Sequence, residues 1–220
     1  MYTMAPHALA NKEAVAIVFS WIRKFDFLTM NDLDMILPHL QYQEVPAKAS
    51  ILNAGQVCDQ LCFVVSGAFR LFYARNDKEV NLRFFLAEDF AIDFQSMINR
   101  IPSKHSIQAM QKSVVVTLKY EKIHNIYMRS TNWERFTRQL LEKAYTHELD
   151  WSAALLSLSG PERYQYLLRT RPDIFESVPL YHIATYLGMQ KESLSRLRSD
   201  LKKAKILSKK SLRLKHSQRQ

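Results

Sequence analysis

Glycine is scarce in this chain. Gly55, Gly67, Gly160 and Gly188 are the only four among 220 residues, and none occurs between 68 and 159. Each falls at an expected turn or hinge. Catalytic signatures are missing too: no GxSxG, GxxxxGK[ST], HExxH or GxGxxG is present, and the seven histidines are scattered. The paired acids Glu88-Asp89 follow a strand as a turn would. An enzyme is therefore not expected. No apolar run approaches the ~18 residues of a transmembrane helix, and Met1–Ala10 lacks the basic start and apolar core of a secretory signal. The expectation is a cytoplasmic protein without a membrane partner. Two cysteines, Cys58 and Cys62, are too few for the Cys₄ ligation of an iron–sulfur cluster, and no histidine pair at metal spacing accompanies them. No metal or cofactor is expected. Their even spacing, in an apolar stretch that reads as a strand, places both on one face, as buried free thiols or surface passengers.

Charge is present in abundance but is concentrated. The net charge is +10. From Arg196 to Gln220 there are ten Lys/Arg and a single acid, Asp200, so that +9 falls on 25 residues. A basic stripe at one end suits a polyanion such as nucleic acid. No amphipathic aromatic face accompanies it to suggest a membrane surface.

Residues 12–25 read as a first helix. Thr29 with Asp32 three residues on resembles a capping arrangement for a second, short helix through Leu40. Leu61–Val65 and Ala68–Ala74 are apolar strand-like runs separated by the turn Ser66-Gly67, and Asn76-Asp77 marks another turn. Val80, Leu82 and Phe84 alternate with Asn81 and Arg83, the pattern of a half-buried strand. Ser113–Leu118 is a further strand. Short strands with frequent turns predict a compact barrel or sandwich-like domain.

Helical spacing returns after Glu121. From Asn132 to Leu158 there is no Gly or Pro, and Trp133, Phe136, Leu140, Ala144, His147, Trp151, Ala154 and Leu158 recur at steps of three and four. Such a seam packs either on its own domain or on a second copy of the chain. Phe136, Leu140, Ala144, His147 and Trp151 are the candidates for a dimer interface. Ser159-Gly160-Pro161-Glu162 then breaks the helix, with Ser159 and Glu162 spaced as a capping box. The expected organisation is an N-terminal β-rich domain with leading helices (1–130), a long helix (131–159) and a small basic helical domain (160–220).

Within that last domain, Ile183, Ala184 and Leu187 form the apolar face of a short helix, and Gly188 stands where two helices turn sharply. Leu194, Leu197 and Leu201 line the next helix. A small residue at 184 lets the helices cross, and glycine at 188 allows a left-handed turn. The pattern fits a helix-turn-helix whose second helix enters the DNA major groove. Its outward side chains, Gln190, Lys191, Glu192, Ser195, Arg196 and Ser199, can read base edges or hold phosphates. His182, in the first helix, is expected to contact phosphate or to lie on the surface.

The array Ile183-Ala184-x-x-Leu187-Gly188-x-x-x-Glu192-x-x-Ser195-Arg196 resembles the Crp/Fnr superfamily of bacterial regulators. Leu61–Gly67 with Phe69–Phe72 resembles the β-roll of its cyclic-nucleotide-binding-like domain. The resemblance covers roughly residues 12–205 and implies an α+β chain: a β-roll, a long dimerisation helix and a winged-helix-like DNA-binding domain. It implies Lys191, Glu192 and Arg196 as base readers, with Gln190 and Ser193 at phosphates or base edges. It implies a homodimer on an inverted repeat of double-stranded DNA. RNA polymerase is a further candidate partner, and an unidentified small molecule a candidate effector. The wing usual after the second helix lacks its turn glycine in residues 206–220.

In nucleotide-binding members of that superfamily, a Gly-Glu helix start holds ribose and phosphate, and an Arg-Ser pair neutralises the phosphate. Here Ile92 falls on the glycine, Asp93 on the glutamate and Ser103 on the arginine, with Lys104 beside it. A Cβ at 92 obstructs the approach of phosphate to backbone amides. Serine cannot make the bidentate contact of arginine, whereas Lys104 offers a point charge. These four residues are the effector-pocket candidates, and gating by cyclic AMP is not expected. Two rival readings are a β-roll sensor whose output is a protein partner, and a sequence-blind DNA binder.

Overall fold

The computed structural model describes residues 6–75, 78–201 and 203. The expected Asn76-Asp77 turn, any wing at 206–220 and most of the basic tail lie outside them. Two compact units emerge, Met1–Ser152 and Ala153–Gln220. Each is described by itself.

The first unit opens with α1 (Pro6–Ile22) and α2 (Met30–Ile36), followed by a 3₁₀ turn, Leu37–His39. Thr29 caps α2 as its spacing predicts: the Thr29 Oγ1 accepts from the Asp32 amide at 3.3 Å, and the Asp32 carboxylate accepts from the Thr29 amide at 2.9 Å. Eight strands follow: β1 (Gln41–Val45), β2 (Ser50–Leu52), β3 (Gln60–Ser66), β4 (Phe69–Arg75), β5 (Lys78–Phe85), β6 (Phe90–Ala91), β7 (Ser106–Ala109) and β8 (Ser113–Lys119), with α3 (Phe94–Asn99) between β6 and β7. They form two antiparallel sheets, β1-β8-β3-β6 and β2-β7-β4-β5.

Strand parity builds two cores from one sheet. Cys62 and Val64 of β3 and Val115 of β8 face the interior of the roll, where they meet Leu52, Phe69, Phe85 and Ile107 of the other sheet. Phe63 and Val116, one residue out of phase, face the helices and pack with Val18, Ile22, Leu33 and Ile36. Full burial of a side chain such as Phe69 contributes about 1.5–3 kcal/mol. Gly67 turns β3 into β4 with φ +96°, and a Cβ there would stand 2.7 Å from the Ser113 Cα. Only glycine meets both demands.

The alternation expected in β5 does not hold. Asn81 is buried, while Val80 and Leu82 are only half-buried. The register shows why: Leu71 pairs with Arg83 but Phe72 pairs with Asn81, so Leu82 is an extra residue in a bulge. One inserted residue reverses the faces of those before it.

After α4 (Tyr120–Tyr127), the helix α5 (Thr131–Ser157) spans the division between the units. Its first turns belong to the helix-facing core: Trp133 and Phe136 are 6% and 4% exposed. The Trp133 indole donates to the Asp32 carbonyl at 2.9 Å, and Phe136 meets Trp21 and Phe25 edge-on. The second unit contains α6 (Gly160–Thr170), α7 (Ile174–Ser177), α8 (Leu180–Tyr186) and a helix at 191–201, here α9.

Candidate nucleic-acid interface

The helix-turn-helix forms as its residues demand. Ile183, Ala184, Leu187 and Leu194 are all at most 1% exposed. Gly188 takes φ +64°, the left-handed value that a side chain resists. Around it, the Leu187 amide donates to the Ile183 carbonyl at 2.9 Å and the Met189 amide to the Ala184 carbonyl at 2.8 Å, closing α8. The Leu194 amide donates to the Gln190 carbonyl at 3.1 Å, so α9 begins directly after Gln190.

With Leu194 turned inward, helical periodicity sends Glu192, Ser195, Arg196 and Ser199 outward, flanked by Lys191 and Ser193. Gln190, Lys191, Glu192, Ser193, Ser195 and Arg196 are all exposed. Among the described residues, none of the six spends its side chain on a hydrogen bond or ion pair. The face therefore offers two cations, one carboxylate and three neutral polar groups to whatever approaches it. His182 departs from expectation: it is buried at 7% exposure and stacks beside Tyr181, with ring centroids 4.0 Å apart. It is a packing residue of α8.

Sequence reasoning missed Arg163. Its Nη1 donates to the Leu155 carbonyl, 3.1 Å away in the last turns of α5. Its Nη2 lies 3.8 Å from where a Cβ on Gly188 would stand. The Met189 Sδ and Cε sit 3.2 Å from the corresponding point on Gly160. The start of α6 thus touches both the end of α5 and the helix-turn-helix turn. No sequence pattern announces such a side chain.

The effector candidates do converge, but on one another. Ile92 is 3% exposed and belongs to the roll core. Asp93 caps α3, its Oδ1 accepting from the Ser96 amide at 3.2 Å. The Ser103 hydroxyl donates to its Oδ2 at 2.6 Å, and His105 Nδ1 lies 3.0 Å from the same oxygen. Burial alone would raise the Asp93 pKa. The hydrogen bonds from Ser103, His105 and the Ser96 amide outweigh it and hold the carboxylate below its ordinary range. Lys104 is exposed and outside this network. Ser96 was visible as the third residue after a capping Asp; His105 carried no signal.

Both thiols are free, and of the two expected settings the buried one holds, although Cys58 lies just ahead of β3 and not within it. Among the described residues, no group of three or more His, Cys, Asp or Glu is placed to hold a metal ion, and no helix is long and apolar enough to cross a membrane.

Of the dimer candidates, Phe136 and Trp151 are 4% and 5% exposed within a single chain, which leaves a partner nothing of either to cover. Leu140, Ala144 and His147 are half-buried, and Leu140 packs on the chain's own core. The seam legible in the sequence is, in its first half, the inward face of α5. A different stripe is exposed: Tyr145, Leu149 and Leu156, at 70%, 57% and 90%, with Ser152 between them.

Residues 42–130 match the family described as the cyclic nucleotide-binding domain. No curated protein matches the chain. Among solved structures, FixK2 from Bradyrhizobium japonicum superposes with a TM-score of 0.66 at 17% identity, covering 76% of this chain and 86% of its own. A protein assigned to the crp/fnr family of transcriptional regulators, from Eubacterium rectale, gives 0.63 at 18%, covering 81% and 85%. CooA from Carboxydothermus hydrogenoformans, as a double mutant, gives 0.61 at 20%, covering 77% and 79%. The chain therefore has the α+β fold of Crp/Fnr regulators: an antiparallel β-roll, a long helix and a C-terminal helical domain.

Proposed function

We propose that this chain is a cytoplasmic, sequence-specific DNA-binding transcription regulator, not an enzyme, which acts as a homodimer on an inverted-repeat site without gating by cyclic AMP. The observation that carries the reading is the exposed polar face of α9, held outward by the buried Leu194 and the Gly188 turn. Lys191 and Arg196 suit the O6/N7 edge of guanine, and Glu192 accepts from cytosine N4. Gln190, Ser193 and Ser195 complete the contact set. Dimerisation uses the outward stripe of α5, Tyr145, Leu149 and Leu156, with Ala144 and His147 at its flank, because that stripe presents the large apolar side chains left uncovered on the helix. Independence from cyclic AMP is supported by the Asp93 carboxylate, which already occupies the donors of Ser103 and the α3 amide. RNA polymerase is the protein partner of such a dimer on DNA, and a small-molecule effector, where one acts, enters the roll.

The test is a selection from random duplex DNA with the full chain and no effector. Enrichment of an inverted repeat is the expected result. Salt-dependent binding with no preferred site would replace the reading by a sequence-blind DNA binder. Failure to bind DNA at all would favour a sensor with a protein output.

A further inference from the structure

A cavity of about 400 Å³ opens into the β-roll beside the Asp93 network. Its size falls within the ~300–1,000 Å³ of small-molecule sites. Ile51, Val57 and Ile107 are among its apolar walls, and the Cys58 and Cys62 thiols line it together with Asp59. Burial pushes both thiols above their ordinary range, so both stay protonated and neutral at pH 7. Gln56 and Gln60 add polar side chains to the lining, and Asp59 is the one carboxylate among the lining residues. No Lys, Arg or His contributes to the wall. Arg100 approaches from outside, but its Nη1 donates to the Cys58 carbonyl at 3.1 Å and its guanidinium lies 4.4 Å over the Tyr120 ring.

The cavity also borders the place where an anion would be held. The Cys58 amide donates to the Ser96 Oγ at 2.9 Å, and the Ser96 amide donates to Asp93. The donors there are taken by that internal carboxylate, which is buried and already bonded to Ser96, Ser103 and His105.

We propose that this cavity is a binding site for a small molecule that is uncharged or cationic, and that it rejects phosphate esters. Gln56 and Gln60 offer hydrogen bonds to its polar atoms, Ile51 and Val57 contact its apolar part, and Asp59 favours a positive group. The proposal rests on the effector part of the proposed function and names the ligand's chemistry; its failure is distinguishable from failure of the DNA-binding reading, because the cavity is probed with no DNA present.

Cys58 and Cys62 are the only cysteines in the chain, so every thiol adduct reports on this cavity. The full chain is treated with methanethiosulfonate reagents of opposite charge, ethyltrimethylammonium and sulfonatoethyl. Each forms a mixed disulfide with the thiolate and releases methanesulfinate. Cys58→Ser and Cys62→Ser variants assign the adducts. The cation-to-anion rate ratio should exceed that of free mercaptoethanol by about fivefold, the scale of one carboxylate roughly 8 Å away in a water-like dielectric. Asp59→Asn, an exposed position, should return the ratio toward the free-thiol value. Benzyltrimethylammonium and benzyl alcohol should slow the labelling, and benzenesulfonate and cyclic AMP should not. A ratio at or below that of the free thiol, a ratio untouched by Asp59→Asn, protection by the anions alone, or no labelling of the folded protein would each overturn the proposal.

Discussion

The guanidinium of Arg163 joins two parts of the second unit: Nη1 caps the Leu155 carbonyl at 3.1 Å, and Nη2 rests against the Gly188 turn. A cation at the carboxyl end of a helix meets the negative end of its dipole as well as an orphan carbonyl. Arg163→Ala should destabilise the second unit by about 1 kcal/mol and weaken DNA binding, whereas Arg163→Lys should recover part of both. Thermal unfolding read beside a DNA titration checks this. Unchanged affinity in the alanine variant would make the contact incidental.

Gly188→Ala forces a Cβ into φ +64°. Space is not the obstacle, since the nearest atom is 3.8 Å away; the backbone conformation is. A cost of about 1–2 kcal/mol is expected, with a loss of specific DNA affinity as the angle of α9 shifts. Denaturant unfolding gives the first and a binding titration the second.

Arg196→Ala should lower affinity for the preferred site by about 1–3 kcal/mol and relax one base position. Removing 209–220, which lies outside the described residues, should weaken binding to all sequences and flatten the dependence on salt. Repeating the selection with each variant separates the two: only the first should change the selected sequence.

Asp32 is a buried carboxylate that accepts from the Ser130 hydroxyl at 2.5 Å, the Asn132 amide at 2.9 Å and the Thr29 amide at 2.9 Å. Burial raises its pKa, but these bonds prevail and bring it from 3.8 to about 2. A pKa depressed on folding contributes stability that is fully present above the unfolded value and disappears as pH falls through the folded one. The contribution is about 2 kcal/mol, lost between about pH 4 and pH 2. Asp32→Asn should lower stability at pH 7 and flatten the acid limb across that window. An acid limb identical to the parent chain would show that Asp32 gains nothing on folding.

Much of this architecture was legible because its signals are local. The Thr29–Asp32 box, the Ser66-Gly67 turn and the Ile183–Leu194 pattern each depend on a few neighbouring residues, and each formed as read. The failures share a cause in long-range geometry. A bulge opposite Leu71 and Phe72 reversed the faces of β5, burying Asn81, and neither strand carries a mark of it alone. The apolar seam of α5 was visible, but its partner was not: in its first turns the stripe meets the chain's own α1 and α2, while the exposed stripe of Tyr145 and Leu156 follows a weaker pattern. Asp93 and Ser103 were singled out for what they lack as phosphate ligands. That they bind each other, with His105, depends on a fold that brings residues ten apart within 2.6 Å.

That network also constrains how the chain could evolve. An anion-binding site has no single-substitution route here. Ser103→Arg by itself would set a guanidinium against Asp93 and seal the site with an ion pair. Ile92→Gly would open space around a carboxylate that still repels phosphate. Replacing Asp93 first would uncap α3 and remove the carboxylate that Ser103 and His105 share, leaving Ser103 its bonds to the His105 backbone. Each first step lowers stability or yields no ligand, at about 1–3 kcal/mol for an orphaned buried polar group. The internal carboxylate therefore ties two tasks together: the group that caps α3 is also the group that any new anion ligand at this site would have to displace.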